Sequence, residues 1–210
     1  MIRLHFMPQT RALGALALLE EIGAPYELHV MDLKAGENRR PGYLALNPMG
    51  KVPAIEDGGG LVTEQGAVYL HLADRFPEAG LAPPIGDPLR GRFLRWLFFY
   101  GSSFEPAVVD KAMKREPAAA SLSPYGDYET VIETLRARLA QGPWILGETF
   151  SAADILWGVA LNWTMMFGIV PRLPEFTAYA DRVTARPSVQ RARAKDAELL
   201  AAQDAARGQG

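Results

Sequence analysis

The sequence of 210 residues contains no cysteine. Disulfides, thiolate metal sites and a cysteine nucleophile are thereby excluded. Histidine is scarce: His5, His29 and His71 fall on strand or helix positions without ligand spacing, so no metal site is expected. An excess of either charge is missing too, with 22 Lys+Arg against 24 Asp+Glu and a net charge of −2. That balance argues against a nucleic-acid partner, because phosphate recognition wants a basic footprint. No long apolar run is present: the most apolar stretch, Ile155 to Val170, is interrupted by Asn162 and Thr164 and is short for a bilayer. Met1 leads almost directly into Ile2-Arg3-Leu4-His5-Phe6 without the apolar region of a secretory signal. Internal repeats and low-complexity tracts are lacking. The expectation is a cytoplasmic protein with no membrane partner.

What is there is an ordinary globular composition, 49% hydrophobic and 22% charged, over a length suited to one large domain or two small ones. Residues 1–79 alternate strand and helix signals. Ile2–Phe6 reads as a strand, Thr10 to Ile22 as an Ala/Leu-rich helix stopped by Gly23-Ala24-Pro25, and Tyr26–Val30 as an alternating second strand. Lys34 to Arg40 is a polar loop and Gly42–Leu46 a short helical piece. Ala54–Asp57 and Leu61–Thr63 flank Gly58-Gly59-Gly60, a hairpin signal, and Gln65 to Phe76 closes the unit as a helix. A βαβ followed by ββα predicts a thioredoxin-like domain, here without the Cys-x-x-Cys pair. Residues 80–88, with Pro83, Pro84, Gly86 and Pro88, read as a linker. Residues 89–210 read as an all-helical bundle domain, with helices at Leu89–Ser102, Asp127–Gln141, Ser151–Phe167, Phe176–Arg186 and near Ser188–Ala201. The small, polar tail to Gly210 is expected to fray.

One stretch stands out: Asn47-Pro48-Met49-Gly50-Lys51-Val52-Pro53, a turn-rich segment that enters an apolar strand. Proline has no N–H to give a ladder, so Val52-Pro53 marks a strand start or a deliberate break. Thr63-Glu64-Gln65-Gly66-Ala67-Val68 follows. Farther on come Trp144-Ile145-Leu146-Gly147-Glu148-Thr149-Phe150-Ser151-Ala152-Ala153-Asp154-Ile155 and Phe176…Tyr179…Arg182…Arg186-Pro187. Together and in this order they resemble a soluble glutathione S-transferase over nearly the whole chain. The first helix, opening Thr10-Arg11-Ala12-Leu13 and reaching Leu18-Leu19-Glu20-Glu21, is similar to a bacterial branch of serine/threonine type. In that branch Ser-Arg-Ala precedes Leu-Leu-Glu-Glu and the serine is assigned as thiolate donor.

The resemblance implies a cis Val52–Pro53 bond, with the Val52 backbone holding the cysteinyl unit of glutathione, the co-substrate. It places Lys51, Val52, Pro53, Glu64 and Gln65 in the glutathione site and Thr10 or Arg11 at the sulfur, and it implies a homodimer and no metal. Lowering a thiol pKa of ~8.5 by ~2 units takes about 2.7 kcal/mol of thiolate stabilisation, within reach of a helix N-terminus and one hydroxyl donor. The local alternatives remain open. Thr10 is equally suited to capping its helix, and Arg11 either holds the thiolate as a cation or is a surface arginine. Glu64 suits the glutamyl ammonium or simply the helix dipole. Gln65 stands where the family has serine, and Lys51, Arg39 and Arg40 carry no specific spacing. Tyrosine is missing from the first strand region, against a tyrosine-type mechanism.

The electrophile, a small hydrophobic molecule, would need an apolar wall, expected between the domains. Phe99, Tyr100, Phe104, Trp163, Met166 and Phe167 are candidates, although an aromatic stripe at helical spacing equally describes core. Ser151 and Asp154 have capping-box spacing and a structural role. The function expected is detoxifying conjugation of glutathione. The alternatives are a glutathione-dependent peroxidase, an isomerase (disfavoured by the missing Ser-Ser-Cys-type motif) and a noncatalytic ligand-binding protein of the same fold. Without cysteine the chain cannot perform the thiol–disulfide exchange of the family's cysteine-dependent branches.

Overall fold

The computed structural model describes residues 1–116, 118–119 and 121–208. It falls into two compact units: Met1–Arg75 together with the chain from Arg186 on, and Phe76–Ala185.

The first unit is built on a four-stranded mixed sheet. Strand β1 (Ile2–Phe6) pairs in parallel with β2 (Tyr26–Val30) and antiparallel with β3 (Ala54–Asp57), which pairs antiparallel with β4 (Gly60–Val62). The order is β2-β1-β3-β4, so β1 is central and Leu4 and Phe6 are fully buried. Edge strand β2 alternates half-buried Tyr26, Leu28 and Val30 with exposed Glu27 and His29, as its period predicts. Helix α1 (Ala12–Ile22) is shorter at its start than the expected Thr10–Ile22. It ends on Gly23 in the left-handed conformation, whose N–H caps the Leu19 carbonyl. Helix α2 (Pro41–Leu46) precedes β3, and α3 (Gln65–Arg75) closes the thioredoxin-like βαβ-ββα set. Small residues bring α1 and α3 together: a Cβ on Gly14 would lie 2.2 Å from the Tyr69 hydroxyl.

Helices α4 (Arg90–Phe99), α5 (Glu105–Ala112), α6 (Tyr128–Leu139), α7 (Ala152–Met166) and α8 (Pro174–Thr184) form the second unit. The single helix expected over Leu89–Ser102 instead passes at Tyr100–Phe104 through a turn of π-helix into α5, with Pro106 tolerated in its first turn. Helix α7 is buried from Ala152 to Leu161, as an all-round apolar sequence requires. Trp157 is fully buried, donates Nε1–H to the Trp96 carbonyl at 3.1 Å, and packs edge-on to Tyr100 and Phe104. The Ser151–Asp154 capping box forms as its spacing predicts. Asp154 also accepts from the Ile145 N–H at 2.6 Å and the Tyr179 hydroxyl at 2.7 Å. Burial pushes its carboxyl up to about 6 against the pull of these donors.

Helix α9 (Pro187–Arg207) belongs with the first unit, whereas the sequence division assigns 89–210 to one helical domain. It runs antiparallel to α1, because Arg186 and Ser188 bond Glu21 while Asp196 reaches Gln9. The tail is correspondingly ordered farther than expected: Gln203 donates to the Met31 carbonyl at 3.1 Å, and Arg207 pairs with Asp32. Gln209 and Gly210 lie outside the described residues. No helix among the described residues is long and apolar enough to cross a membrane.

Candidate active site

The loop 47–53 is tied down by its own polar residues and by α2. Asn47 spans it, accepting from the Met49 N–H through Oδ1 at 3.1 Å and donating through Nδ2 to the Lys51 carbonyl at 2.9 Å. The Tyr43 hydroxyl donates to that same carbonyl at 2.6 Å, and burial raises the phenol pKa, which keeps it a donor. Asn38 donates to the Gly50 carbonyl at 2.8 Å, and Arg39 to Met49's at 3.3 Å. Gly50 has φ +62°, and a Cβ there would lie 2.8 Å from the Asn38 carbonyl oxygen, so only glycine fits. Lys51 leaves this clamp exposed, and the Val52–Pro53 bond that follows is cis. Val52 packs on the buried cluster of Met7, Met31 and Tyr43.

Beneath Tyr43 lies His5, fully buried, with ring centroids 5.3 Å apart. Its Nε2 is 2.9 Å from Glu56 Oε1 and its Nδ1 is 2.8 Å from His29 Nδ1. Burial lowers the His5 pKa, so the neutral ring donates to Glu56 and accepts from His29. The histidines are thus sheet supports. Among the described residues no group of three or more metal-ligating side chains comes together.

The turn into α1 begins at Gln9, whose φ of +56° is unusual for a non-glycine residue and costs on the order of 1–3 kcal/mol unless held. Thr10 donates its hydroxyl to the Met7 carbonyl at 2.7 Å and accepts from the Ala12 N–H at 3.3 Å. Its single proton is therefore engaged, and donation to sulfur requires the hydroxyl to turn that proton away from the Met7 carbonyl. Arg11, half-buried, ends the turn, and its carbonyl lies 3.5 Å from Gln65 Nε2 on α3. Glu64 is exposed with φ +66°, and its carbonyl accepts the first bond of α3 from the Val68 N–H at 2.9 Å. Two non-glycine residues in left-handed backbone thus introduce the two helices whose N-termini are the site's candidates.

The first unit therefore brings Thr10, Arg11, Val52 and Gln65 into one neighbourhood: Val52 on the cluster containing Met7, Thr10 on the Met7 carbonyl, Gln65 toward Arg11. By their chemistry, the N-terminal N–H groups of α3 suit a carboxylate and the Glu64 carboxylate suits a cation. Arg40 pairs with Glu37 at 3.1 Å instead. In the helical unit the aromatic candidates divide. Tyr100 and Phe104 are buried against Trp157 as core, Phe99 and Trp163 are half-buried, and Met166 and Phe167 are exposed. Sequence reasoning misses Gln9, Asn38 and Tyr43, whose roles rest on backbone conformation and contacts without a local pattern.

The family model described as "Glutathione S-transferase, N-terminal domain" matches residues 1–74, and its C-terminal counterpart matches 125–191. A disulfide-bond oxidoreductase of Escherichia coli (strain K12), YfcG, is 31% identical over 91% of this chain and 94% of its own length. The structure of a glutathione transferase from Methylococcus capsulatus superposes with a TM-score of 0.79 at 31% identity, covering 94% of this chain and 99% of that one. A sphingomonad glutathione S-transferase complexed with glutathione gives 0.77 at 33% identity, covering 93% and 98%.

Proposed function

This chain belongs to the glutathione S-transferase family, and we propose that it conjugates glutathione to small hydrophobic electrophiles in the cytoplasm, as a homodimer. The observation that carries this is the convergence of the clamped loop 47–53 with the turn into α1 in one unit. The Val52 backbone and Lys51 hold the middle of the tripeptide, and Glu64 and Gln65 its glutamyl end. Glutathione, when bound, supplies the sulfur nucleophile. Thr10, released from the Met7 carbonyl, and the N–H groups opening α1 favour the anionic sulfur, with Arg11 adding positive charge. As the sulfur–carbon bond forms, the electrophile's leaving group departs with its electron pair. Phe99, Trp163 and Met166 of the second unit are the proposed apolar contacts of the electrophile, while Tyr100 and Phe104 are packed against Trp157 in that unit's core.

The test is a calorimetric titration with glutathione, followed by the ultraviolet thiolate absorbance of the complex across pH and turnover of an activated aryl chloride. Binding with a bound-thiol pKa about two units below the free value of ~8.5, together with turnover, is the expected result. Thr10→Ala should cut turnover with glutathione affinity nearly kept. A loss of stability alone would make Thr10 only a cap. No binding at millimolar glutathione would end the assignment.

The likeness to YfcG favours a second reading, reduction of small disulfides. No sulfur of this chain can take part, so two glutathione molecules would supply both electrons. One glutathione thiolate attacks the disulfide and expels the first substrate thiolate. The second attacks the glutathione sulfur of the mixed disulfide and expels the other, leaving oxidised glutathione and, with the two protons taken up, two substrate thiols. Formation of oxidised glutathione with a small disulfide, and none of the thioether with the aryl chloride, would select this reading.

A further inference from the structure

The turn that opens α1 is held from the far end of the sequence. The Gln9 N–H donates to Oδ1 of Asp196 at 2.9 Å. Asp196 is buried on the face of α9 that otherwise packs Val189 and Ala192, where an aspartate is an expensive choice unless it makes a bond. The backbone it meets is unusual as well: Gln9 sits at φ +56°, a region that glutamine rarely takes. From there the chain runs directly into Thr10, whose carbonyl accepts the Leu13 N–H at 3.2 Å as α1 begins. Position 196 lies outside both family-matched segments, 1–74 and 125–191.

We propose that Asp196 is a positioning residue of the sulfur site: its carboxyl fixes Gln9 in the left-handed conformation, and Gln9 in turn sets the place of Thr10 and of the first N–H groups of α1. This rests on the transferase reading above. The role is separable from docking α9, which has other anchors: Arg186 and Ser188 on Glu21, Arg191 on Glu20 at 2.6 Å, and Gln203 on the Met31 carbonyl. Asparagine keeps an acceptor oxygen and preserves the turn; alanine removes it. Glycine at position 9 takes the left-handed conformation without help, so Gln9→Gly reduces the need for Asp196.

The test compares wild type, Asp196→Ala, Asp196→Asn and Gln9→Gly/Asp196→Ala by amide exchange of residues 7–14, by the bound-thiol pKa, and by kcat and KM. All are measured at a temperature where each variant is folded. Asp196→Ala should speed exchange in 7–14 by about fivefold or more, raise the bound-thiol pKa by about one unit, and lower kcat about ten- to a hundredfold with little change in KM for glutathione. Asp196→Asn should stay near wild type, and the double variant should recover part of the loss. Exchange in 7–14 unchanged by Asp196→Ala overturns the proposal, as does faster exchange with kcat and thiol pKa unmoved. If Asp196→Ala does not fold, Asp196→Asn and Gln9→Gly/Asp196→Asn decide: exchange and kcat near wild type in both support the proposal, and an Asp196→Asn kcat reduced about tenfold or more that Gln9→Gly in the same chain does not restore overturns it. A wild-type complex with an unshifted thiol instead sinks the transferase reading, while the exchange pattern still reports whether Asp196 holds the turn.

Discussion

Gly14 on α1 faces Tyr69 on α3 so closely that a β-carbon would sit 2.2 Å from the phenol oxygen. Tyr69 is fully buried, so its rigid ring has little freedom to retreat. This contact sets the spacing of the helices that begin at Ala12 and Gln65. Gly14→Ala should destabilise the protein by about 1–3 kcal/mol in urea unfolding and weaken glutathione binding by shifting Gln65 relative to Arg11. Removing the offending oxygen with Tyr69→Phe should restore most of both losses. Additive losses in the double variant would show that the two positions are not coupled through this contact.

Gly50 makes a second such demand, this time on the loop itself. Its φ of +62° and the Asn38 carbonyl oxygen 2.8 Å from a would-be Cβ leave no relaxed position for alanine. Gly50→Ala should cost about 1–3 kcal/mol in stability and raise the calorimetric Kd for glutathione. Gly59→Ala in the turn between β3 and β4, where nothing lies within 4 Å, tests for backbone strain alone and should leave Kd unchanged.

The Lys51 carbonyl takes two donors, the Tyr43 hydroxyl and Asn47 Nδ2. Tyr43→Phe removes one and leaves the carbonyl still satisfied, for an expected loss of about 0.5–1.5 kcal/mol. Adding Asn47→Ala strips the second donor and should cost more than the sum of the single changes, read as a non-additive rise in Kd for glutathione.

These residues also show how far the sequence carries. The cap of α7 is legible because Ser151 and Asp154 are three apart and their bonds are local. The loop 47–53 is legible because proline and glycine report backbone constraints directly. Tyr43 on the Lys51 carbonyl, Asp196 on Gln9 and α9 on α1 are contacts across 8, 187 and 165 positions, and no periodicity encodes them. The break at Tyr100–Phe104 is hidden for another reason. The aromatic run keeps helical spacing through the π-turn, and Pro106 occupies the first turn of α5 without breaking the helical path. The candidate pocket residues share that ambiguity, since burial against Trp157, which sets Tyr100 and Phe104 apart from Met166, is decided by a helix more than fifty positions later.

Asp154 gives the stability a pH dependence of definite sign. Its carboxyl is raised from 3.8 in the unfolded chain to about 6 in the fold, chiefly by burial. A raised carboxyl pKa means that the fold prefers the protonated form, so the contribution is fully present below pH 3.8 and is lost as the pH rises through about 6. About two units correspond to about 3 kcal/mol. Asp154→Asn does not titrate, so it isolates this group from other carboxylates. The stability of wild type minus that of Asp154→Asn, from urea unfolding, should shrink by up to about 3 kcal/mol between pH 4 and pH 7. A difference that grows with pH over that range would mean that the bonds from Ile145, Ser151 and Tyr179 outweigh burial and that Asp154 is held ionised.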